Sequence, residues 1–584
     1  QFRSTPNAYV KLWKHHAAEK YAARVTEIAA QRGEPFLQRY GGKISSEWEI
    51  PKIWQILDES PEVYEAADHI VEGGDWIVWQ LTGVLRKNTC AAGYKGTWSA
   101  SEGYPSEDFF KALDPRLSNY VSEKLNFPAA ALGSAVGGVT EEMARRTGLR
   151  PGTPVSASII DAHVAMPSAG ITGPGQLLAI MGTSTCDILL SKEERMVPGM
   201  CGVVDGGVYP GYYAYEAGQS CVGDHFAWFV DRCCPAAYKE EADRQGKNLH
   251  VYLTELAETL QPGESGLIAL DWWNGNRSVL TDYDLTGLIV GMTLSTRPEE
   301  IYRALIEATA YGTRMIVENF VRHGVPVTKF VATGGISQKN TMAMQIYADV
   351  LNMPVHIADG KQGGALGAAC FAAVAAGKAA GGYDSITEAA AVMGRQKDAF
   401  YAPIPEHAAV YETLYREYGA LHDYFGRRGS DVMKRLKAIR TKIKGRPESA
   451  KGSTENFPCS LVSGWIVPVF FVAAGFALHS AHKAPRRHIQ KAVAVQGHAH
   501  FLLIDASHFP QGFQTGFVVQ RVVIQHPPNA LHGTDGAAVQ SVVHGSQVEL
   551  FQKVKHTLAQ IVKTKAVKII VFGVFHISFP LESI

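Results

Sequence analysis

The chain has 584 residues, 46% hydrophobic and 19% charged, which is enough for two or more packed domains and excludes a disulfide-stapled miniprotein, a collagen-like repeat or a wholly disordered chain. Its 56 Lys and Arg balance 56 Asp and Glu, so long-range attraction to a polyanion is lacking and the composition points away from nucleic acid as a main partner. That balance conceals a split: residues 1–444 carry 44 basic and 50 acidic side chains, whereas 445–584 carry 12 and 6, with 11 of the 21 His.

Eight cysteines without a C-x-x-C pair or a repeated metal spacing suit a reducing compartment, and the expected location is the cytoplasm. The opening residues carry no apolar core or cleavage site of a secretory signal. The longest apolar stretch, 461–478, is broken by Pro468 and two glycines, which argues against a membrane span.

Between residues 5 and 82 the pattern is mostly helical, with apolar side chains at three- and four-residue spacing through Ala8, Leu12 and Trp13 and again through Ile53, Ile56 and Leu57. The segment GGDWIVWQLTG (73–83) predicts a helix whose Trp76, Ile77, Trp79 and Leu81 pack against the core. Farther on, the β-rich run 155–160 reads as a buried strand that delivers Asp161 at its carboxyl end, where α/β sheets place ligand-handling residues. Two more strand-like runs, 177–181 and 186–190, flank Gly182, Thr183, Ser184 and Thr185. Backbone N–H groups and hydroxyls of such a turn can point at phosphate oxygens, although an ordinary hairpin turn has the same composition.

A long helix over 301–322 carries Ala304, Leu305, Ala308, Met315 and Ile316 on one face. It is followed by a strand over 327–332, the turn Thr333-Gly334-Gly335, a helix over 340–351, a strand over 354–358 and a small-residue helix over 363–377. This alternation argues for an α/β layer architecture. The glycine pair permits close approach of a nucleotide's adenosine or phosphate, or it serves only a tight connection.

Taken in order, the motifs NAYVKLWKHH (7–16), YGGKISSEW (40–48), GGDWIVWQLTG, AGYKGTW (92–98), DAHVAMPSAG (161–170), MGTSTC (181–186), YEAGQSCVGD (215–224), LIEATAYGTR (305–314) and ATGGISQKN (332–340) resemble the FGGY carbohydrate kinases, and within them the branch that acts on L-ribulose. Each motif is weak alone; nine in one order are not. The resemblance implies two ribonuclease-H-like α/β domains of the actin-like ATPase architecture around a cleft: residues 1–170 on the sugar side, incomplete, and 171–444 on the ATP side. It implies MgATP (Mg2+ and ATP) and L-ribulose as small-molecule partners, no nucleic acid, no membrane, and a homodimer.

Asp161 then matches the catalytic base that takes the proton of the C5 hydroxyl. Lys95 and Glu216 match positions that hold sugar hydroxyls, as donor and acceptor. Trp13 matches an aromatic near the sugar, with a core-filling role as the alternative. Gly182, Thr183, Ser184 and Thr185 resemble the second phosphate loop, and Gly334, Gly335, Gln338 and Asn340 the adenosine-binding turn. His163 could tune Asp161, but a packed histidine is the safer reading.

Two departures set further expectations. No D-x-G-T/S motif precedes Asn7, so the sequence reads as lacking one of two phosphate loops and part of the first sheet, with turnover severely reduced. Residues 445–584 match nothing in the family; an appended domain or a histidine-rich metal binder around His498 and His500 is conceivable, but discordant local signals favour a gene-model artefact.

Overall fold

The structure, a computed structural model, describes residues 2–13, 15–360 and 362–444, together with the strand Ile569–Phe572. The apolar stretch 461–478, Cys459, His498 and His500 lie outside the described residues.

Helical periodicity organises the first part of the chain. Helix α1 (Glu19–Arg32) buries Tyr21, Val25, Ile28 and Ala29 along one stripe and stops at Gly33, whose φ of +68° only glycine adopts readily. Helix α2 (Glu49–Glu59) buries Ile50, Ile53, Trp54, Ile56 and Leu57 against it. The expected continuation of helix through Leu12 and Trp13 does not form. Beyond the short turn Pro6–Ala8 the backbone is irregular, because the Lys52 ammonium takes the Leu12 and Trp13 carbonyls at 2.8 and 3.2 Å.

Helix α3 (Gly73–Thr82) is where GGDWIVWQLTG predicts it, but it buries Asp75, Val78 and Thr82 while its two tryptophans are only partly covered. Asp75 sets that face: its carboxylate accepts from Asn88 Nδ2 at 2.8 Å and from Ser158 Oγ at 2.7 Å. Asn88 in turn caps helix α4 (Thr89–Gly96) by accepting from the Ala91 N–H at 2.7 Å. The run 155–160 departs from expectation as well. Its strand is only Pro154–Ser156, paired antiparallel with Ala135–Gly138 and not fully buried, and residues 157–160 are irregular. The hydroxyl of Ser158 is committed to Asp75, a side-chain bond that competes with a regular ladder.

From Gln176 the chain first runs through four strands with no helix between them, two of which (Gly202–Asp205 and Tyr213–Gln219) the sequence pattern did not mark; strand and helix alternate, as expected, from the long helix onward. A six-stranded sheet contains β1 (Gln176–Met181), β2 (Thr185–Ser191), β3 (Gly202–Asp205), β4 (Tyr213–Gln219), β5 (Lys329–Thr333) and β6 (Val355–Ile357), in the order β6-β5-β1-β2-β4-β3. β5 runs parallel to both β1 and β6, whereas the β1-β2-β4-β3 part is antiparallel. Helix α5 (Gly223–Arg232) follows β4, and α6 (Pro298–Arg322) covers one face of the sheet. Helices α7 (Gly335–Lys339) and α8 (Thr341–Leu351) connect β5 to β6, and α9 (Gly363–Ala376) and α10 (Pro405–Asp423) complete the layers. Separately, His69–Glu72 pairs in parallel with Ile569–Phe572.

Buried apolar side chains gather in three clusters: one among residues 18–127, one on the α6 face of the sheet, and one on the opposite face, where Cys90 and Tyr94 meet Ile188, Val331 and Phe371. Leu305 of α6 is fully buried in the second. Leu305→Ala is expected to lower the unfolding free energy by about 2–5 kcal/mol through lost transfer energy and a residual cavity, read as a lower urea midpoint of the full-length chain.

Candidate active site

The sheet face opposite α6 carries Glu216, the fourth residue of β4, paired with Ile188 of β2 and Gly202 of β3. Its side chain is 3% exposed. Three other parts of the chain converge on its two oxygens. Lys95 Nζ, from the last turn of α4, lies 3.9 Å from Oε2, and His163 Nε2 lies 3.3 Å from the same oxygen. The guanidinium of Arg277 donates to Oε1. Burial alone would raise the Glu216 carboxyl, but Lys95 and Arg277, with His163, outweigh it and hold the group well below the usual carboxylate range. Reciprocally, burial would lower Lys95, and Glu216 and Glu47 keep its ammonium above the ordinary value.

Asp161 is exposed, in the turn that precedes the short helix Ala165–Ser168, five residues past the end of the short strand rather than at its tip. Among the described residues its side-chain hydrogen bond is with the Ala162 N–H at 2.8 Å. His163, two residues on, is buried, tilts against the Tyr94 ring with centroids 4.4 Å apart, and touches Glu216. It is therefore a packed histidine, and through it the turn bearing Asp161 lies beside the Lys95–Glu216 pair. Trp13 is 40% exposed, which rules out the core-filling alternative.

The β1–β2 hairpin turn is Gly182 to Ser184. Thr185 belongs to β2, pairs with Gln219, and is fully buried with its hydroxyl lacking a partner among the described residues, so it is turned away from solvent. Gly182 and Thr183 are exposed. Their carbonyls accept from the N–H groups of Gly223 at 3.0 Å and Val222 at 2.8 Å, which fixes the turn against the start of α5. Gly334 has φ +98°, and a Cβ there would stand 2.3 Å from the Met181 carbonyl, whereas Gly335 has open space. The glycine turn thus lies directly against the base of the hairpin. Gln338 and Asn340 have structural partners: Gln338 Nε2 donates to the Ala358 carbonyl at 2.7 Å, and Asn340 caps α8 by accepting from the Ala343 N–H at 2.9 Å.

The exposed Gly182-Thr183 corner, with a hydroxyl beside its backbone, and the open Gly335 position suit a nucleotide phosphate. Among the described residues no group of three or more His, Cys, Asp or Glu forms a ready-made metal cage. Magnesium usually takes one or two carboxylates together with substrate phosphates, a lean set that exposed Asp161 fits. Among the described residues, too, no helix is long and apolar enough to cross a membrane. Arg277 is the residue that the sequence reading missed; it lies in a Gly- and Asn-containing loop with no periodicity to mark it.

Residues 177–376 match the C-terminal domain of the FGGY family of carbohydrate kinases. A ribulokinase of Bacillus licheniformis is 56% identical over 440 residues, 75% of this chain and 80% of that protein. A ribulokinase of Halalkalibacterium halodurans is 57% identical over 449 residues, 77% of this chain and 80% of that protein. Among solved structures, a xylulose kinase from Rhodospirillum rubrum matches with a TM-score of 0.59 at 28% identity, covering 68% of this chain and 77% of that one. A ligand-bound xylulose kinase from Lactobacillus acidophilus shares the fold with a TM-score of 0.60 at 19% identity, covering 71% and 80%. Fold and relatives define a sugar kinase, a phosphotransferase with the expected α/β, actin-like ATPase architecture. The chain belongs to the FGGY family of carbohydrate kinases.

The depressed Glu216 carboxyl makes a pH-dependent contribution to folding. Because its folded value lies below the unfolded one, the stabilisation is complete above about pH 4.3 and is lost as pH falls toward the folded value. The difference in urea stability between the natural chain and Glu216→Gln should therefore be constant at neutral pH and change only in acid, below about pH 4.3; a change centred near pH 7 would contradict the cation clamp.

Proposed function

We propose that this protein transfers the γ-phosphoryl group of MgATP to the C5 hydroxyl of L-ribulose, with residues 1–170 forming the sugar side of the cleft and 171–444 the nucleotide side. The observation that carries the reading is the convergence of Lys95 and His163 on Glu216 beside the turn of Asp161. Relatives that bear the name ribulokinase at 56% and 57% identity support the choice of sugar.

In this reading Lys95 donates to one hydroxyl of the ketopentose and ionised Glu216 accepts from another, which fixes the sugar's rotation. Trp13 offers an exposed apolar ring at the edge of the sugar. Gly182, Thr183 and Ser184 meet the phosphates, and Gly335, open beside the Gly334 that seats the turn against Met181, leaves room for the nucleotide. Magnesium would be held by the phosphate oxygens with the exposed Asp161 turn beside it, and would supply neutralisation of their charge. Asp161 accepts the proton of the C5 hydroxyl as that oxygen bonds to the γ-phosphorus in line with the departing ADP oxygen. No covalent enzyme intermediate forms.

A coupled ADP-release assay with L-ribulose tests this, with xylulose and glycerol as comparison acceptors. Asp161→Asn should reduce kcat about 10²- to 10⁴-fold while calorimetric L-ribulose binding survives. Natural chain that binds L-ribulose without turnover would support a non-catalytic sugar-binding remnant instead; neither binding nor turnover would overturn the sugar reading.

A further inference from the structure

Arg277 makes two contacts inside the cluster. Besides the bond to Glu216 Oε1, its Nε donates to Cys201 Sγ at 3.1 Å. The loop that carries it is closely fitted. Asn276 and Asp282 exchange backbone bonds of 2.9 and 2.8 Å, and Ser278 Oγ accepts from the Gly218 N–H of β4 at 3.3 Å. Gly199 admits the Val279 carbonyl where a Cβ would lie 1.9 Å away. The guanidinium is thereby held over the strand that bears Glu216, with its side chain still 20% exposed.

The division of the carboxylate is specific. One oxygen is taken by Arg277; the other faces Lys95 and His163. We propose that Arg277 is a positioning residue for sugar recognition, locking the Glu216 carboxylate in one orientation so that Oε2 is the acceptor presented beside Lys95. The inference rests on the assignment of Glu216 to the sugar. Groups that face Glu216 from the surrounding elements are Lys95, Cys90 and Tyr94 of α4, His163, Cys186 of β2, Cys201 and Arg277. Of these only Lys95 and Arg277 supply a fixed positive charge.

Calorimetric binding of L-ribulose and steady-state kinetics across pH 5–8 test the assignment with Arg277→Gln and Arg277→Lys. Arg277→Gln should weaken L-ribulose binding about 10- to 100-fold, the scale of a hydrogen bond to a charged group, raising KM far more than it lowers kcat. Its affinity should also fall as pH drops from 7 toward 5, because a carboxylate with one fixed cation removed titrates higher; affinity in the natural chain should stay level there. Arg277→Lys should restore the level pH profile but not the full affinity, since an ammonium cannot make the fork that spans Glu216 and Cys201. If Arg277→Gln fails to fold, Arg277→Lys alone decides, and natural affinity in it overturns the inference. Natural-chain binding matched by an Arg277→Gln variant with the same affinity and pH profile overturns it alone. A natural chain that binds no L-ribulose overturns the sugar reading and this inference together.

Discussion

One buried carboxylate organises this molecule. Taking Glu216 out of water costs several kcal/mol unless charges and hydrogen bonds replace the solvent, and the replacements come from α4, from the turn after Asp161 and from the loop around Arg277. None of these segments is a neighbour of another in sequence. Each must dock on the sheet for the charge to be tolerated, so the interaction that stabilises the fold is also the one that assembles the cleft. Removing Lys95 or Arg277 leaves a charge without its partner in a low-dielectric site, which is why such pairs are easier to keep than to break.

The proposed nucleotide side depends on a different constraint, the close approach of backbone to backbone. Gly334 against the Met181 carbonyl and Gly223 against the Gly182 carbonyl leave no space for a Cβ at either position, so the hairpin, the glycine turn and the start of α5 pack backbone to backbone while Gly182 and Thr183 stay exposed. Beneath it lies a polar layer: Gln219 donates to Asp271 and to the Thr309 carbonyl, both at 2.9 Å, and accepts from Thr313. Burial pushes Asp187 in this layer up to about 7 and Asp271 up to about 6. Carboxyls raised in this way place less negative charge under a turn proposed to face phosphates than ordinary carboxylates would.

The sequence was most legible where period and punctuation agreed. The strands expected over 177–181, 186–190, 327–332 and 354–358, the long helix and the glycine turn lie within a few residues of expectation, because short apolar runs bounded by turn residues mark strands buried on both faces and a 3.6 period marks the buried face of α6, whereas β3 and β4, the strand of Glu216, were not foreseen. It was least legible where a polar side chain chose the face. Asp75 turned α3 so that its tryptophans are half covered, Ser158 left the strand register to reach Asp75, and Lys52 drew the carbonyls of Leu12 and Trp13 out of a helix. Thr185 follows a third route: period two in β2 sends its hydroxyl inward, although composition grouped it with Gly182 to Ser184. Arg277 is invisible to pattern reading because its partners, Glu216 and Cys201, lie at least 61 residues away.

The contrast between Glu216 and Asp161 follows from what each is proposed to do. An acceptor that fixes a sugar hydroxyl gains from a rigid, desolvated position, since its orientation must precede the substrate. A base has to meet the hydroxyl that arrives and the phosphate that follows, and an exposed turn leaves its carboxylate accessible to both. Three residues along β4 separate Glu216 from Gln219, the partner of Thr185 at the foot of the hairpin, roughly 10 Å at the rise of a strand. The clamp and the turn proposed to face phosphates therefore stand within about 10 Å of each other along one strand, with the Asp161 turn tied to the clamp by His163.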